Sequence, residues 1–379
     1  MLYTIGLMSG TSIDAVDGVL VGFGGTQPSP RTLAFASLPM PPALRDALER
    51  LQSPFAGELD AAALAGVALS RLYAQVVREL LRHARLRAGD VAAIGAHGQT
   101  VRHRPEAGYT MQLLNGAALA EACGIDVVCD LRSADVAAGG QGAPLVPAFH
   151  AEVFGAPGVR RAIVNVGGIA NVSLLDGAGG VRGFDTGPGN TLMDGWCRRH
   201  TGNGYDEDGR WAAQGSVDAA LLGHLLSDPY FALPAPKSTG RDHFNLAWLD
   251  ARLDAMAHPA RPVRPEDVQA TLLALTADTI VAAVAAADPS AVYLCGGGTR
   301  NAALVAAIRA RLADASARCS LQGTDSLGID PQAVEASAFA WLAMRHLGDA
   351  PGNLPSVTGA RGTRVLGARY RASARPSTA

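Results

Sequence analysis

The chain has 379 residues, 48% of them hydrophobic and 17% charged, with a formal net charge of −2 at pH 7. That much apolar material is incompatible with a mainly disordered chain, and a near-neutral balance supplies no global field for nucleic acid or an anionic membrane. The length suits two domains or one large α/β unit, and the low aromatic share of 5% predicts thin, closely packed elements.

Taken in chain order, Tyr3–Met8 reads as a buried strand that turns at Ser9–Ser12 into a second strand, Ile13–Phe23. Leu69, Leu72, Val76 and Leu80 recur at three- and four-residue spacing and predict a long helix over Leu59–Leu86. A strand at Val91–Ala96 ends in His97-Gly98-Gln99-Thr100, and a helix at Gly116–Cys123 precedes a strand at Asp126–Cys129. The small-residue stretch Ala137–Ala143 leads to Pro144. A second strand–turn–strand unit follows, Ala162–Val166 and Ile169–Leu175 around Gly167-Gly168. Gly183–Asp194 reads as a Gly-rich turn entering a helix, and Tyr230–Phe244 as a Pro-rich loop. An apolar helix at Val268–Ala287 precedes the strand Ala291–Cys295 and the turn Gly296-Gly297-Gly298, and Ala333–His346 is the last clear helix. The tail beyond Tyr370 is expected to fray. Strands alternating with helices predict a mixed α/β fold, and the repeated strand–Gly-turn–strand pattern points to two similar lobes.

Several chemistries are excluded or disfavoured. The only lysine is Lys237, preceded by Pro236, so the chain has neither the Gly-Lys of a Walker A loop nor the V-A-I-K strand of protein kinases. The cysteines Cys123, Cys129, Cys197, Cys295 and Cys319 are odd in number and form no C-x-x-C, which argues against a disulfide framework and fits a reducing, cytoplasmic setting. No H-x-x-x-H pair supports a zinc hydrolase. Residues Met1–Gly18 carry acids and no basic leader, and are not expected to act as a secretory signal. The longest apolar run, near Ile280–Ala287, is expected to be too short to span a bilayer.

The remaining chemistry sits in small-residue turns. Ser9–Asp17 combines backbone N–H groups, hydroxyls and two acids, which suits either a phosphate nest with Mg²⁺ held by Asp14 or Asp17, or an ordinary hairpin. Gly183–Asn190 sets Asp185 among glycines, as a general base or as an Asp bonded to its own loop. Gly167-Gly168 offers a second close approach for phosphate, or a plain hairpin. Gly296-Gly297-Gly298, followed by Asn301, bares backbone to a flat ring or phosphate and lacks the G-x-G-x-x-G dinucleotide spacing. Arg132 is a fork donor for a carboxylate or phosphate, or the partner of Asp130 or Asp135. Glu335 stands at a helix head, where a negative charge also favours the dipole.

Eight motifs in order resemble the anhydro-N-acetylmuramic acid kinase family, sugar kinases of the actin, hexokinase and acetate-kinase superfold. They are Gly6–Asp17, His97–Thr100, Asp130–Pro147, Asn165–Asn171, Gly183–Asn190, Pro236–Phe244, Gly296–Asn301 and Leu327–Ala340. Ala15 stands where that pattern usually has Gly, Ile13 where Leu is common, and Val334 where Met is frequent. The Ala15 methyl would crowd the loop if φ there were positive.

The resemblance implies a two-lobed actin-like (ribonuclease H-like) ATPase fold with mixed sheets and a central ATP cleft. Its first lobe would be residues 1–128, completed by about 340–370, its second 129–339, and 371–379 a flexible tail. It implies that Gly10, Thr11, Ser12, Ile13, Asp14, Ala15, Val16 and Asp17 cradle the triphosphate, with Gly167, Gly168, Gly296, Gly297, Gly298 and Asn301 on the nucleotide. Asp185 would be the base and Glu335 would lie near the Mg²⁺ hydration shell, with Asp14. His97 and Gln99 would contact the sugar, and Arg132 and Lys237 are candidates for its lactyl carboxylate. The implied reaction is hydrolytic opening of 1,6-anhydro-N-acetylmuramic acid coupled to phosphorylation of O6, in cell-wall recycling, by a homodimer. A levoglucosan kinase, a non-sugar actin-like ATPase and a glycosidase-type hydrolase are the rival readings.

Overall fold

The computed structural model describes residues 1–10, 12–24, 30–256, 263–315 and 319–373. The chain divides into two compact units, Met1–Val153 with Ala333–Ala379, and Phe154–Gln332. The divisions fall at 153/154 and 332/333, rather than at the expected 128/129 and 339/340. A buried carboxylate explains the first shift. Asp135 accepts from Gly142 N (2.8 Å), Asn353 Nδ2 (2.6 Å) and Thr358 Oγ1 (2.7 Å), binding the segment after Cys129 to the C-terminal part of the first unit.

The sheet of the first unit runs Ala368–Tyr370, Val127–Cys129, Ala93–Ala96, Leu2–Met8, Ala15–Phe23, Arg31–Pro39. Leu2–Met8, Ala15–Phe23 and Arg31–Pro39 form an antiparallel meander, and Ala93–Ala96 and Val127–Cys129 continue the sheet in parallel from Leu2–Met8. The sheet of the second unit has the same logic. Arg161–Val166, Ile169–Leu175 and Val181–Pro188 form the meander, with Ala291–Cys295 and Ser320–Gly323 parallel to Arg161–Val166. Each unit thus carries the ribonuclease H-like order third–second–first–fourth–fifth, and the duplicated strand–turn–strand pattern in the sequence is its visible trace.

The helix Glu58–Ala84 buries the periodic Leu69, Leu72, Tyr73, Val76 and Leu80 in a core shared with Ile5, Leu7 and Leu20. Acids in its first turn and Arg82 and His83 in its last complement the dipole. The helix Val334–Leu347 seats on the other face of the sheet because Gly6 and Gly95 have no side chain. A Cβ at Gly6 would lie 1.8 Å from Ala336 O, and one at Gly95 2.0 Å from Phe339 O.

In the second unit the helix Pro265–Ala285 corrects the sequence reading. It is long and apolar enough to cross a membrane by length and composition. In the fold, 78% of its most apolar 18-residue stretch is buried in protein. Gln269, Thr271 and Thr276 break the apolar run in sequence, yet they are buried and hydrogen-bonded. Thr276 Oγ1, for example, lies 3.0 Å from both Pro188 O and Gly189 O. The tail also differs from expectation as far as residue 373. Ala372 N (2.8 Å) is bound to Asp126, and Ser373 Oγ (3.0 Å) to Glu121. Residues 374–379 lie outside the described residues.

Candidate functional site

In the first unit the loop after Leu2–Met8 is tied down from beneath. Ser9 Oγ donates to Gly98 O (2.9 Å) and lies 2.9 Å from the buried Tyr73 hydroxyl, and Gln99 Nε2 donates to Gly10 O (3.1 Å). Thr11 lies outside the described residues. Ile13 is only 2% exposed and has φ +54°, a region a β-branched residue rarely enters. Arg45 Nε holds its carbonyl at 3.0 Å. Strain therefore sits at Ile13, whereas Ala15 is ordinary strand paired with Pro39, so the crowding expected there does not arise. Ile13 and Val16 point into the core and can offer a ligand only backbone. Asp14 is exposed, with Ser12 Oγ and Ala15 N (3.0 Å) on Oδ1, and Asp17 is half-buried in the strand.

His97 and Gln99 lie under this loop, 5% and 1% exposed, instead of lining an open surface. Gln99 Oε1 has no partner among the described residues. Arg132 directs Nε (3.1 Å) and Nη2 (2.9 Å) at His97 Nε2, and donates through Nη1 to Gly142 O (2.7 Å). Arginine only donates, so His97 Nε2 accepts and the ring is neutral. Burial, and then the Arg132 charge, push its pKa down to about 3. The carboxylates considered as partners of Arg132 have other donors, Ser133 on Asp130 and the three named above on Asp135. Glu335 is half-buried in the first turn of Val334–Leu347.

In the second unit Asp185 is on a strand. Residues 183–188, expected as a turn, pair with Ile169–Leu175, with a register shift between Asp185 and Gly187. That irregularity re-aims the strand where the carboxylate sits. Asp185 N donates to Lys237 O (3.1 Å), Thr239 N donates to Asp185 Oδ2 (3.0 Å), and the buried Thr239 Oγ1 has no partner among the described residues. Gly167 O and Gly168 O accept from Gly189 N (2.9 Å, to Gly168), Asn190 N (2.8 Å, to Gly167) and Thr191 N (3.1 Å, to Gly168). The Gly-Gly turn thus caps the helix Thr191–Thr201.

The triple glycine divides by role. Gly296 (φ +82°) and Gly298 are needed for packing, since a Cβ would meet Asn165 Oδ1 at 2.3 Å and Val166 Cγ1 at 2.3 Å respectively. Gly297 is exposed, with Asn190 Nδ2 the nearest atom to a Cβ there, at 3.8 Å, so it alone of the three offers open backbone. Asn301 Oδ1 caps the helix Ala302–Ala315 through Leu304 N (3.0 Å). Gln332, not singled out in the sequence, braces the turn through Gly296 O (3.0 Å) and Thr299 Oγ1 (2.9 Å). Lys237 Nζ donates to Tyr230 O and Phe231 O, each at 3.2 Å, and lies 4.7 Å from the Tyr230 ring centroid. Partial burial lowers its pKa.

Among the described residues no three His, Cys, Asp or Glu side chains gather as a metal cage. The five cysteines are free thiols. Burial pushes Cys123 up to about 11 and Cys129 to about 12, so neither is a nucleophile at neutral pH.

Residues 2–372 match the family described as anhydro-N-acetylmuramic acid kinase. The chain is 59% identical over 371 residues to the anhydro-N-acetylmuramic acid kinase of Bordetella parapertussis, covering 97% of this chain and 96% of the relative. It is 56% identical over 368 residues to that of Burkholderia cenocepacia, covering 96% and 95%. Among solved structures, the activator of the 2-hydroxyisocaproyl-CoA dehydratase from Clostridium difficile with bound ADPNP aligns over 92% of this chain and 96% of its own, at 15% identity and a TM-score of 0.46.

Proposed function

The chain belongs to the anhydro-N-acetylmuramic acid kinase family, and we propose that it hydrolytically opens 1,6-anhydro-N-acetylmuramic acid and phosphorylates O6 with ATP. The products are N-acetylmuramic acid 6-phosphate and ADP. The observation that carries this reading is the near end-to-end match over residues 2–372.

In the reaction, water adds to the anomeric carbon, the bond from that carbon to the bridging oxygen breaks, and the freed O6 attacks the γ-phosphorus as ADP leaves. Asp185 takes the water proton. Thr239 N steadies one carboxylate oxygen, which supports a fixed orientation for the base. The backbone of Gly10, Ser12, Ile13 and Asp14 cradles the phosphates, from the loop before the strand Ala15–Phe23 that Ser9, Tyr73 and Gln99 hold in place. Gly297 offers open backbone to the nucleotide.

Mg²⁺ suits the donor set. It commonly keeps several waters and takes one or two carboxylates rather than a full protein cage. Asp14, exposed and engaged through Oδ1, and Glu335 would hold it through water. When bound it supplies charge neutralisation of the phosphates. Arg132, with His97 fixing the plane of its fork, is the better-shaped candidate for the lactyl carboxylate. The free thiols support a reducing, cytoplasmic setting.

The test is a phosphoryl-transfer assay with Mg-ATP, offering the anhydromuramic sugar and levoglucosan side by side. The 6-phosphate of the acidic sugar with stoichiometric ADP is expected. Ring opening without ATP, or ADP release without sugar, sinks the reading.

A further inference from the structure

Beside Asp185 lies a polar and aromatic assembly that, Lys237 apart, the roles above leave unused. Its centre is Asp228, whose side chain is 5% exposed. Four donors converge on it: Tyr230 N (3.0 Å) on Oδ1, with Trp248 Nε1 (2.9 Å), Arg252 Nη2 (2.8 Å) and His243 Nε2 (3.4 Å) on Oδ2. Burial works to raise the Asp228 pKa, and the Tyr230 amide, Trp248 and His243 outweigh it, leaving the carboxyl below its usual range.

The carboxylate anchors Tyr230, and Tyr230 reaches Asp185. The Tyr230 hydroxyl donates to Asp185 O at 2.7 Å. The ring is held edge-on by Phe231, His243 and Phe244, with centroids 5.9, 5.9 and 5.6 Å away. Phe231 packs where Gly187 lacks a side chain, since a Cβ there would meet Phe231 Cε1 at 2.7 Å. That contact falls in the strand irregularity beside Asp185. Lys237 closes the circuit. Its ammonium takes the carbonyls of Tyr230 and Phe231, while its own carbonyl accepts Asp185 N. The peptide on each side of Asp185 is thus held by this assembly, and the carboxylate itself by Thr239 N two residues after Lys237.

We propose that Asp228, Tyr230 and Lys237 are positioning residues for Asp185, setting the direction of its carboxylate through the backbone on either side of it. Lys237 then acts on the base and not on the lactyl carboxylate. The inference rests on the assignment of Asp185 as the base. A base is useful only in a narrow geometry, and small misplacements from outside the chemistry are costly in turnover.

Two variants test it in the full-length protein. Tyr230→Phe removes one hydroxyl and keeps the ring. Lys237→Met removes the ammonium and keeps the length of the side chain. Each is expected to lower kcat roughly ten- to a hundredfold, with the KM for sugar and for ATP within about twofold of the parent. An anion grip at Lys237 gives the opposite split, a raised sugar KM at near-normal kcat, and that result overturns the role given to Lys237. An unchanged kcat in Tyr230→Phe overturns the whole proposal. Hydrogen exchange of the unliganded protein separates this inference from the assigned activity. Faster exchange at the Asp185 amide in Tyr230→Phe is expected whatever the enzyme phosphorylates, and unchanged exchange counts against the assembly even if the sugar kinase activity is established.

Discussion

At the scale of single residues, Asp185 and Arg132 carry the sharpest expectations. Asp185→Asn preserves shape and the Thr239 contact but cannot take a proton. Turnover should fall by roughly 10²–10⁴-fold, with ATP affinity and melting temperature near the parent's. A stable variant with normal turnover removes Asp185 from the mechanism. Arg132→Met should weaken the acidic anhydrosugar alone. Loss of a charge-assisted hydrogen bond is worth about 1.5–3 kcal/mol, on the order of ten- to a hundredfold in KM. An equal loss on levoglucosan means that Arg132 only ties Gly142 to His97. His97 gives a pH signature. Its pKa is about 3 in the fold against an ordinary 6.5, so the unfolded chain binds the extra proton between those values. The contribution of His97 to stability is therefore fully present above about pH 6.5 and lost as pH falls towards 3. That loss reaches about 2 kcal/mol by pH 5. His150, fully buried and also pushed down to about 3, adds to the same trend. Chemical denaturation at pH 7.5 and pH 5 should show a smaller drop for His97→Gln than for the parent. Equal drops would mean that His97 is not the group titrating.

Among the elements, the seating of Val334–Leu347 on the first sheet is the most constrained contact. Gly95→Ala would force a methyl to 2.0 Å from Phe339 O, and a backbone oxygen cannot swing aside as a side chain does. A loss of about 3 kcal/mol, or failure to fold, is expected on thermal or denaturant unfolding. Gly223 is the contrast. It lies inside the helix Ala219–Leu226 with nothing within 4 Å of a Cβ, so Gly223→Ala should stabilise by about 0.5–1 kcal/mol. The two substitutions are alike in sequence and opposite in sign, because only one glycine has another backbone against it. The same distinction separates Gly296 and Gly298 from Gly297, which the sequence presents as three equivalent residues.

For the molecule as a whole, the two cores differ in connectivity. The second unit, Phe154–Gln332, is continuous and has its own core around Val164, Leu272, Ile280 and Val292. The first unit is split, and the helix that covers one face of its sheet, Val334–Leu347, comes from its C-terminal segment. A fragment of residues 154–332 should therefore melt cooperatively by itself. Residues 1–153 should be poorly soluble until residues 333–379 are supplied in trans, since the sheet face around Gly6 and Gly95 is then bare. Cooperative folding of 1–153 alone would contradict this.

The sequence by itself determined what is local. The Glu58–Ala84 periodicity, the strand Ala291–Cys295, the helix Gly116–Cys123 and the two strand–turn–strand units are written in spacing and turn chemistry. The ordered motifs carried the family resemblance. Only the tertiary structure decided the rest, because it depends on partners far apart in the chain. Residues 183–188 look like a turn from their glycines, yet they form a strand, since Ile169–Leu175 offers an edge and the glycines admit close neighbours. Pro265–Ala285 is apolar almost all round because protein surrounds it. Lys237 stands out as the single lysine, but its ammonium is taken up by two carbonyls. Asp228 and Tyr230 stand outside the eight motifs, and Thr239 and Gln332 stand inside two of them with no role marked, because their bonds to Asp185, to one another or to the Gly296 turn exist only once the second unit has folded.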